Sequence, residues 1–258
     1  MAKRNSRFRN VRAAIRRRLN ILHFRFSKSE PRTPSFAKKQ LHREGYFSQY
    51  GQDKWVYENL TRSKRKGIFV DIGAYDGITL SNTYFMEQIG WSGLAIEPKP
   101  TAYQQLVINR SCRAINGCIA AQSGKQVFRQ ITGAAAMLSG LVEDYDARHL
   151  YRIESETNES GGAYTEIEVD CYTLNELLRA HAITKVDYLT IDVEGAELKI
   201  LESIDFNEVE ISIIGVENNY GDERIKQLLS KKGFDLHSTI DVDVFYVNRS
   251  PTSQPPEN

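Results

Sequence analysis

Nowhere do the 258 residues hold an uninterrupted apolar run near 18 residues, which excludes a polytopic membrane fold. The N-terminal stretch also lacks the hydrophobic centre of a signal peptide. Cysteine is scarce. Cys112, Cys118 and Cys171 are odd in number and without a C-x-x-C spacing, so neither a disulfide framework nor a cysteine zinc site is indicated, and a reducing, cytoplasmic compartment is expected. Two phosphate-binding signatures are missing as well. There is no G-x-x-x-x-G-K-S/T loop, and a G-x-G-x-x-G frame begun at Gly73 meets Tyr75 and Ile78 where glycines are needed. The remaining composition, 41% hydrophobic and 26% charged, is that of a globular chain. At about 100 to 200 residues per domain, its length suits one large α/β domain, or one domain with an appended arm.

The formal net charge of +1 hides an asymmetry. Residues 1–40 carry thirteen Lys/Arg against Glu30 alone, which leaves 21 basic and 32 acidic residues for the rest. Within this arm Phe8, Val11, Ile15, Leu19, Leu22 and Phe26 recur at three- and four-residue steps among arginines, the pattern of a basic amphipathic helix. Such a helix can lie in a bilayer interface, each basic residue near an anionic surface adding about 1 kcal/mol, so peripheral membrane contact through residues 7–26 is one expectation. Packing of the stripe on the body, disorder, or an organellar presequence are the others. The stretch around Pro31 and Pro34 reads as a linker. An acidic body has little attraction for phosphate backbones, so nucleic acid is not expected as the main substrate.

Residues 41–250 read as one α/β domain followed by a disordered tail, 251–258, because apolar β-rich runs alternate with helical patterns. Strands are expected at Ile68 to Ile72, Gly93 to Glu97, Arg113 to Ile119, Val186 to Asp192, Glu210 to Glu217, Phe234 to Ile240 and Val244 to Asn248. Their sum is a seven-stranded, mostly parallel sheet with helices on both faces and a terminal antiparallel hairpin. Between Thr132 and Gly162 the pattern dissolves, and a structureless lid or binding loop carrying Tyr145, His149 and Tyr151 is expected there.

Chemistry concentrates where strands end. Ile68 to Ile72 feeds Gly73-Ala74-Tyr75-Asp76-Gly77, where two glycines allow a tight turn and close approach to a ligand, with a helix to follow. Asp71 and Asp76 would repel a pyrophosphate at that helix N-terminus, which favours a cationic or zwitterionic nucleoside. The next strand delivers Glu97 and Pro98, and a carboxylate at such an edge accepts ribose hydroxyls; the alternative is a surface acid beside a turn proline. Asp192 and Glu194 end a third strand and should face the same crevice. Glu197 is read instead as a first-turn helix acid. Glu217 and Asn218 come to this edge from the strand beyond, followed by Asn219 and Tyr220. Ser48 or Asp53 is a helix cap before Trp55, Val56 and Leu60.

The turn and Glu97 together resemble the signature elements of Rossmann-like S-adenosylmethionine-dependent methyltransferases, with Asp71 to Gly77 around the methionine end and Glu97 on the ribose. Further motifs are Ser-Gln-Tyr-Gly-Gln-Asp at 48–53, Asp-Ile-Gly-Ala-Tyr-Asp-Gly at 71–77, Ile-Glu-Pro at 96–98, Ile-Asp-Val-Glu-Gly-Ala-Glu at 191–197 and Val-Glu-Asn-Asn-Tyr at 216–220. With them the sequence resembles, from Tyr46 to Asn248, the FkbM family of methyltransferases. The resemblance implies methyl transfer to a hydroxyl of a sugar, glycan or other natural product, with Gln49, Gln52 or Asp53 helping to close the cofactor pocket. A histidine is expected in such sequences where Asn218 stands, and this chain departs from that pattern. Asp192 is the first candidate for a base or hydroxyl-orienting group, followed by Glu194, Glu217 and the loop residue His149, for which simple solvation is the alternative. Asp192, Glu217 and Asn218 are an optional magnesium site. Competing readings are a membrane-tethered cofactor-binding module without turnover, an NAD-linked sugar enzyme, and a nucleic-acid methyltransferase using the arm.

Overall fold

The computed structural model describes residues 44–61, 66–160 and 162–249, all within one compact unit, Lys38–Asn258. The basic arm, with the membrane contact expected of it, and the tail lie outside the described residues. No helix among the described residues is long and apolar enough to cross a membrane.

A short helix, α1 (Gln52–Val56), and a π-helical turn, Tyr57–Thr61, precede β1 (Ile68–Ile72). Then come α2 (Tyr84–Gln88), β2 (Ser92–Glu97), α3 (Pro100–Asn109) and β3 (Arg113–Asn116). After a second, smaller sheet, the chain returns through α5 (Leu174–Ala180), β8 (Lys185–Ile191), α6 (Glu197–Ser203), β9 (Glu210–Glu217), α7 (Glu223–Lys231), β10 (Phe234–Ile240) and β11 (Asp243–Asn248). The main sheet has seven strands in the order β10-β11-β9-β8-β1-β2-β3, with β11 antiparallel to both neighbours and the other pairings parallel. This is the expected Rossmann-like arrangement with its terminal hairpin.

Strands covered on both faces read as near-continuous apolar runs, as IFVDI does with Asp71 its single polar residue. Val70, Ile72, Leu189, Ile191, Ile214 and Val216 form one face, covered by α5 through Leu177 and Leu178, α6 through Ile200 and α7 through Leu229. Phe69, Tyr188, Ile213 and Phe245 form the other, against Val56, Leu60, Met86 and Trp91. Local signals agree with the helices. Thr173 and Glu176 close a capping box on α5, satisfying N–H groups that helix geometry leaves without partners.

Two expectations are corrected. The run Arg113 to Ile119 is not one strand: β3 stops at Asn116, and after Gly117 the chain enters the second sheet as β4 (Cys118–Ile119). A Cβ on Gly117 would stand 2.7 Å from the Asp170 carbonyl oxygen, so the crossing needs glycine. The stretch 132–162 is not a structureless loop either. It begins with a 3₁₀ segment, Gly133–Leu138, runs through β6 (Gly140–Leu141), and ends in a fourteen-residue helix, α4 (Ala147–Ser160). The Asp146 carboxylate caps that helix by accepting from Arg148 N at 2.7 Å and His149 N at 2.9 Å. Ile131, Ala135, Leu138 and Ile153 give the stretch its own small core. Beside it, β5 (Gly124–Ile131) and β7 (Tyr164–Tyr172) pair antiparallel over eight residues and complete a four-stranded sheet, β4-β7-β5-β6.

Candidate active site

At the end of β1, Gly73 has φ +93° and its N–H donates to the Ile96 carbonyl at 3.1 Å. A Cβ there would lie 1.9 Å from the Asp192 carbonyl oxygen. At Gly77 a Cβ would also be crowded, 2.6 Å from Arg110 Cγ and 2.7 Å from Leu106 Cδ1. The close approach expected toward a ligand is thus made first to protein, because β1, β8 and α3 converge on the turn. No helix follows the turn directly: a bridge at Leu80 intervenes and α2 begins only at Tyr84. Asp76 therefore serves the turn itself, accepting from Ile78 N at 2.9 Å and Thr79 N at 2.7 Å. Ala74 is buried, while Tyr75 holds φ +51°, a left-handed conformation costly for a side chain of its size.

Asp71 accepts from Thr83 Oγ1 at 2.5 Å and lies 3.8 Å from Arg110, an arginine that the sequence reading passed over. The Arg110 side chain is fully buried. It pairs with Glu87 at 2.6 Å and donates to the Gly77 carbonyl at 3.1 Å and to Thr83 Oγ1 at 3.0 Å, while Asn109 Nδ2 holds the Asp76 carbonyl at 2.8 Å. The C-terminus of α3 thereby clamps two consecutive carbonyls of the turn. Burial raises the Asp71 pKa, and Arg110 opposes that shift.

Glu97 ends β2 as expected. Its carboxylate accepts from Tyr75 N at 2.9 Å and Lys99 N at 2.8 Å, and burial raises its pKa to about 7 against those bonds. Asn116 Nδ2 donates to the carbonyls of Glu97, at 2.9 Å, and Pro98, at 3.3 Å, fixing the strand end. One further polar atom in this half has no partner. Asn82 Oδ1 is buried without a hydrogen bond, although Asn82 Nδ2 reaches Thr190 Oγ1 at 3.4 Å, and Thr190 is the strand neighbour of Asp71.

The other half of the rim gathers acids. Carboxylate oxygens of Asp192, Glu194 and Glu217 lie within 4.8 Å of one another. Burial is the chief cause that raises all three, to about 7 for Glu194, and the like charges of the neighbours add to it. Asp192 and Glu217 stand side by side here, and the Asp192 charge adds to the burial that holds Glu217 toward its neutral form. Glu194 holds φ +60° and pairs with Arg152 Nη1 at 3.2 Å. Glu197 braces this turn, accepting from Gly195 N at 3.0 Å and Val193 N at 3.3 Å, in line with its reading as a first-turn helix acid. Asn219 Nδ2 donates to Glu217 at 2.6 Å. Asn218 does not join the acids. Its Oδ1 accepts from Asp222 N at 2.7 Å, so the cluster is Asp192, Glu194 and Glu217 and not the trio with Asn218.

His149 is not solvated. It is 0% exposed on α4, stacked on Tyr145 with ring centroids 4.8 Å apart, and its Nδ1 lies 3.3 Å from the Tyr220 hydroxyl and 3.8 Å from Glu194. The insertion thus delivers His149 and Arg152, spaced i and i+3 on one helix face, to the acid cluster. That spacing was the available signal, hidden because the helix itself was unforeseen.

The segment at 48–53 divides its labour. The Asp53 carboxylate is consumed locally, by Phe47 N at 2.7 Å, Ser48 Oγ at 2.5 Å and Lys54 N at 2.8 Å, and Gln49 Nε2 meets the Tyr50 hydroxyl at 3.0 Å. Gln52 alone crosses to the rim, donating to Asp243 at 2.7 Å. Asp243 faces Glu217 across the β11–β9 pair, and burial raises it to about 6.

One cation could touch all three clustered carboxylates, yet Arg152 already pairs with Glu194, and burial holds Asp192 and Glu217 toward their neutral forms. The donor set therefore suits proton transfer and the binding of an organic cation better than a magnesium cage, which needs several free anionic oxygens. Known proteins bear on this geometry. The chain is 26% identical over 166 residues to methyltransferase sdnD of Sordaria araneosa, covering 55% of this chain and 64% of that relative, so the match spans less than two thirds of the relative's length. Among solved structures it is similar to a TehB-like SAM-dependent methyltransferase of Corynebacterium glutamicum, with TM-score 0.43, 10% identity, and 84% and 96% of the two chains covered. It is also similar to Aeropyrum pernix fibrillarin with natively bound S-adenosyl-L-methionine, with TM-score 0.41, 12% identity, and 78% and 73% covered. The profile described as the methyltransferase FkbM domain matches residues 71–236, and this chain belongs to the FkbM methyltransferase family.

Proposed function

We propose that the protein transfers a methyl group from S-adenosylmethionine to a hydroxyl of a sugar, glycan or related polyhydroxylated metabolite. The observation that carries this reading is the acid-lined rim, with Glu97 at the end of β2 and the carboxylates of Asp192, Glu194 and Glu217 gathered within 4.8 Å of one another after β8 and β9. A phosphate-bearing nucleotide would be repelled there, whereas a sulfonium gains from the negative field. Family membership and the name of the relative from Sordaria araneosa support methyl transfer as the reaction. When bound, the cofactor supplies an electrophilic methyl group on sulfur. Glu97 accepts the ribose hydroxyls, and Asn82 Oδ1, buried without a partner one strand from Asp71, offers an acceptor to the ammonium of the methionine end. Asp192, beside Glu217 in the cluster, orients the acceptor hydroxyl. Holding the reactants in line accounts for about 7 to 11 kcal/mol in well-oriented systems, so positioning is the larger contribution. The test is calorimetry with S-adenosylmethionine, followed by transfer of its labelled methyl group to extracted surface glycans and their precursors, read by mass spectrometry. Tight binding of NAD or ATP with no uptake of the methyl donor would overturn the reading.

A further inference from the structure

We propose that Tyr220 and His149 form a proton relay that deprotonates the acceptor hydroxyl, with Tyr220 as the catalytic residue in contact with substrate and His149 as the group behind it. The inference rests on the hydroxyl-methylation reading above and concerns a pair that reading leaves unused. It begins with a tautomer. His149 Nε2 lies 3.4 Å from the Leu138 carbonyl, which only accepts, so Nε2 carries the hydrogen. Nδ1 is then a lone-pair acceptor, and it faces the Tyr220 hydroxyl at 3.3 Å. Leu138 sits in the small core of the insertion and Tyr145 stacks on the ring, so two elements outside the main sheet fix the imidazole against the β9–α7 loop.

Tyr220 is half-buried with Arg148 over its ring at 4.3 Å, and the imidazole nitrogen that its hydroxyl meets lies 3.8 Å from Glu194 of the acid cluster. Around the imidazole stand Glu194 from the β8–α6 turn, Tyr220 from the β9–α7 loop, and Asp146, Arg152 and Glu156 of the α4 segment. In the step itself the acceptor oxygen bonds to the methyl carbon while the carbon–sulfur bond breaks toward sulfur. The acceptor proton passes to the Tyr220 oxygen as the Tyr220 proton passes to His149 Nδ1. The positive charge lost at sulfur reappears on the imidazolium, 3.8 Å from the Glu194 carboxylate, which balances it until the proton returns to solvent. Burial holds His149 below the usual histidine range, so the ring is neutral and ready to accept at neutral pH.

The test uses the full chain, with methyl glycosides and aliphatic polyols as probe acceptors and labelled S-adenosylmethionine as donor. Y220F and H149Q are each expected to lower kcat by about 100-fold while leaving donor affinity within about twofold. Wild-type kcat is expected to fall toward acid pH as His149 takes a proton, and H149Q is expected to lose that limb. Nitrogen-15 spectra of the histidines read the tautomer directly, and they serve with Y220F if H149Q fails to fold. A neutral Nε2–H ring whose Nδ1 resonance shifts in Y220F supports the relay; an Nδ1–H ring, an undiminished kcat in Y220F, or an acid limb retained in H149Q refutes it while the methylation reading stands. Donor binding without transfer by the wild type to any probe would instead overturn the polyol reading, and the relay with it.

Discussion

The two halves of the rim treat their acids differently. Beside β1 and β2, each carboxylate is anchored by donors: Asp71 by Thr83, Asp76 by two backbone amides, and Glu97 by two more. Beside β8 and β9, Asp192, Glu194 and Glu217 chiefly face one another, with Arg152 and Asn219 as the main compensation. The first half is finished by the fold. The second holds repulsion that a cationic ligand or a moving proton relieves, which is how pKa values are displaced at working sites.

This contrast can be broken at several points. The largest effect is expected on the anchored side, where Arg110→Ala leaves Asp71 and Glu87 buried without their cation and should cost about 3–5 kcal/mol in denaturant unfolding. Gly73→Ala follows, at about 3 kcal/mol, from a Cβ forced against the Asp192 carbonyl at positive φ, again read by unfolding. In titration calorimetry, Glu97→Ala should weaken donor binding by about 10- to 100-fold, whereas Asp192→Asn should depress kcat more than affinity. Equal effects of the two substitutions on binding and turnover would erase the proposed division.

The pH dependence comes next. Glu97 and Glu194 are raised in the folded state to about 7, so the fold favours their neutral forms. Their stabilising contribution is complete below about pH 4 and is lost as pH rises toward 7. Thermal melts of the unliganded protein should fall over that range, and Glu194→Gln should flatten the fall. The smallest effect is expected from chelation. Turnover in excess chelator should stay within about twofold, since Arg152 already pairs with Glu194 and burial holds Asp192 and Glu217 toward their neutral forms.

Much of this was legible because parallel strands must be apolar and their carboxyl ends must carry the polar residues. Ile68 to Ile72 and Glu210 to Glu217 coincide with β1 and β9 residue for residue. The second sheet was passed over although Ile167, Val169 and Cys171 alternate with Glu166, Glu168 and Asp170, the period of a half-buried strand. His149 was misjudged for a different reason. Nothing local distinguishes a solvated histidine from one buried by residues far along the chain, and its neighbours Tyr220 and Glu194 arrive only with the tertiary fold. Arg110 was lost similarly, since its partners Asp71, Gly77 and Glu87 are gathered by the turn it clamps.

The bond from Gln52 to Asp243 joins positions 191 residues apart. A ribosome would therefore release nearly the whole domain before that amide could meet its partner, and the β9 side of the crevice stays unlatched until the final hairpin docks. Binding competence should thus arise late in synthesis, as a property of the finished sheet and not of its early strands.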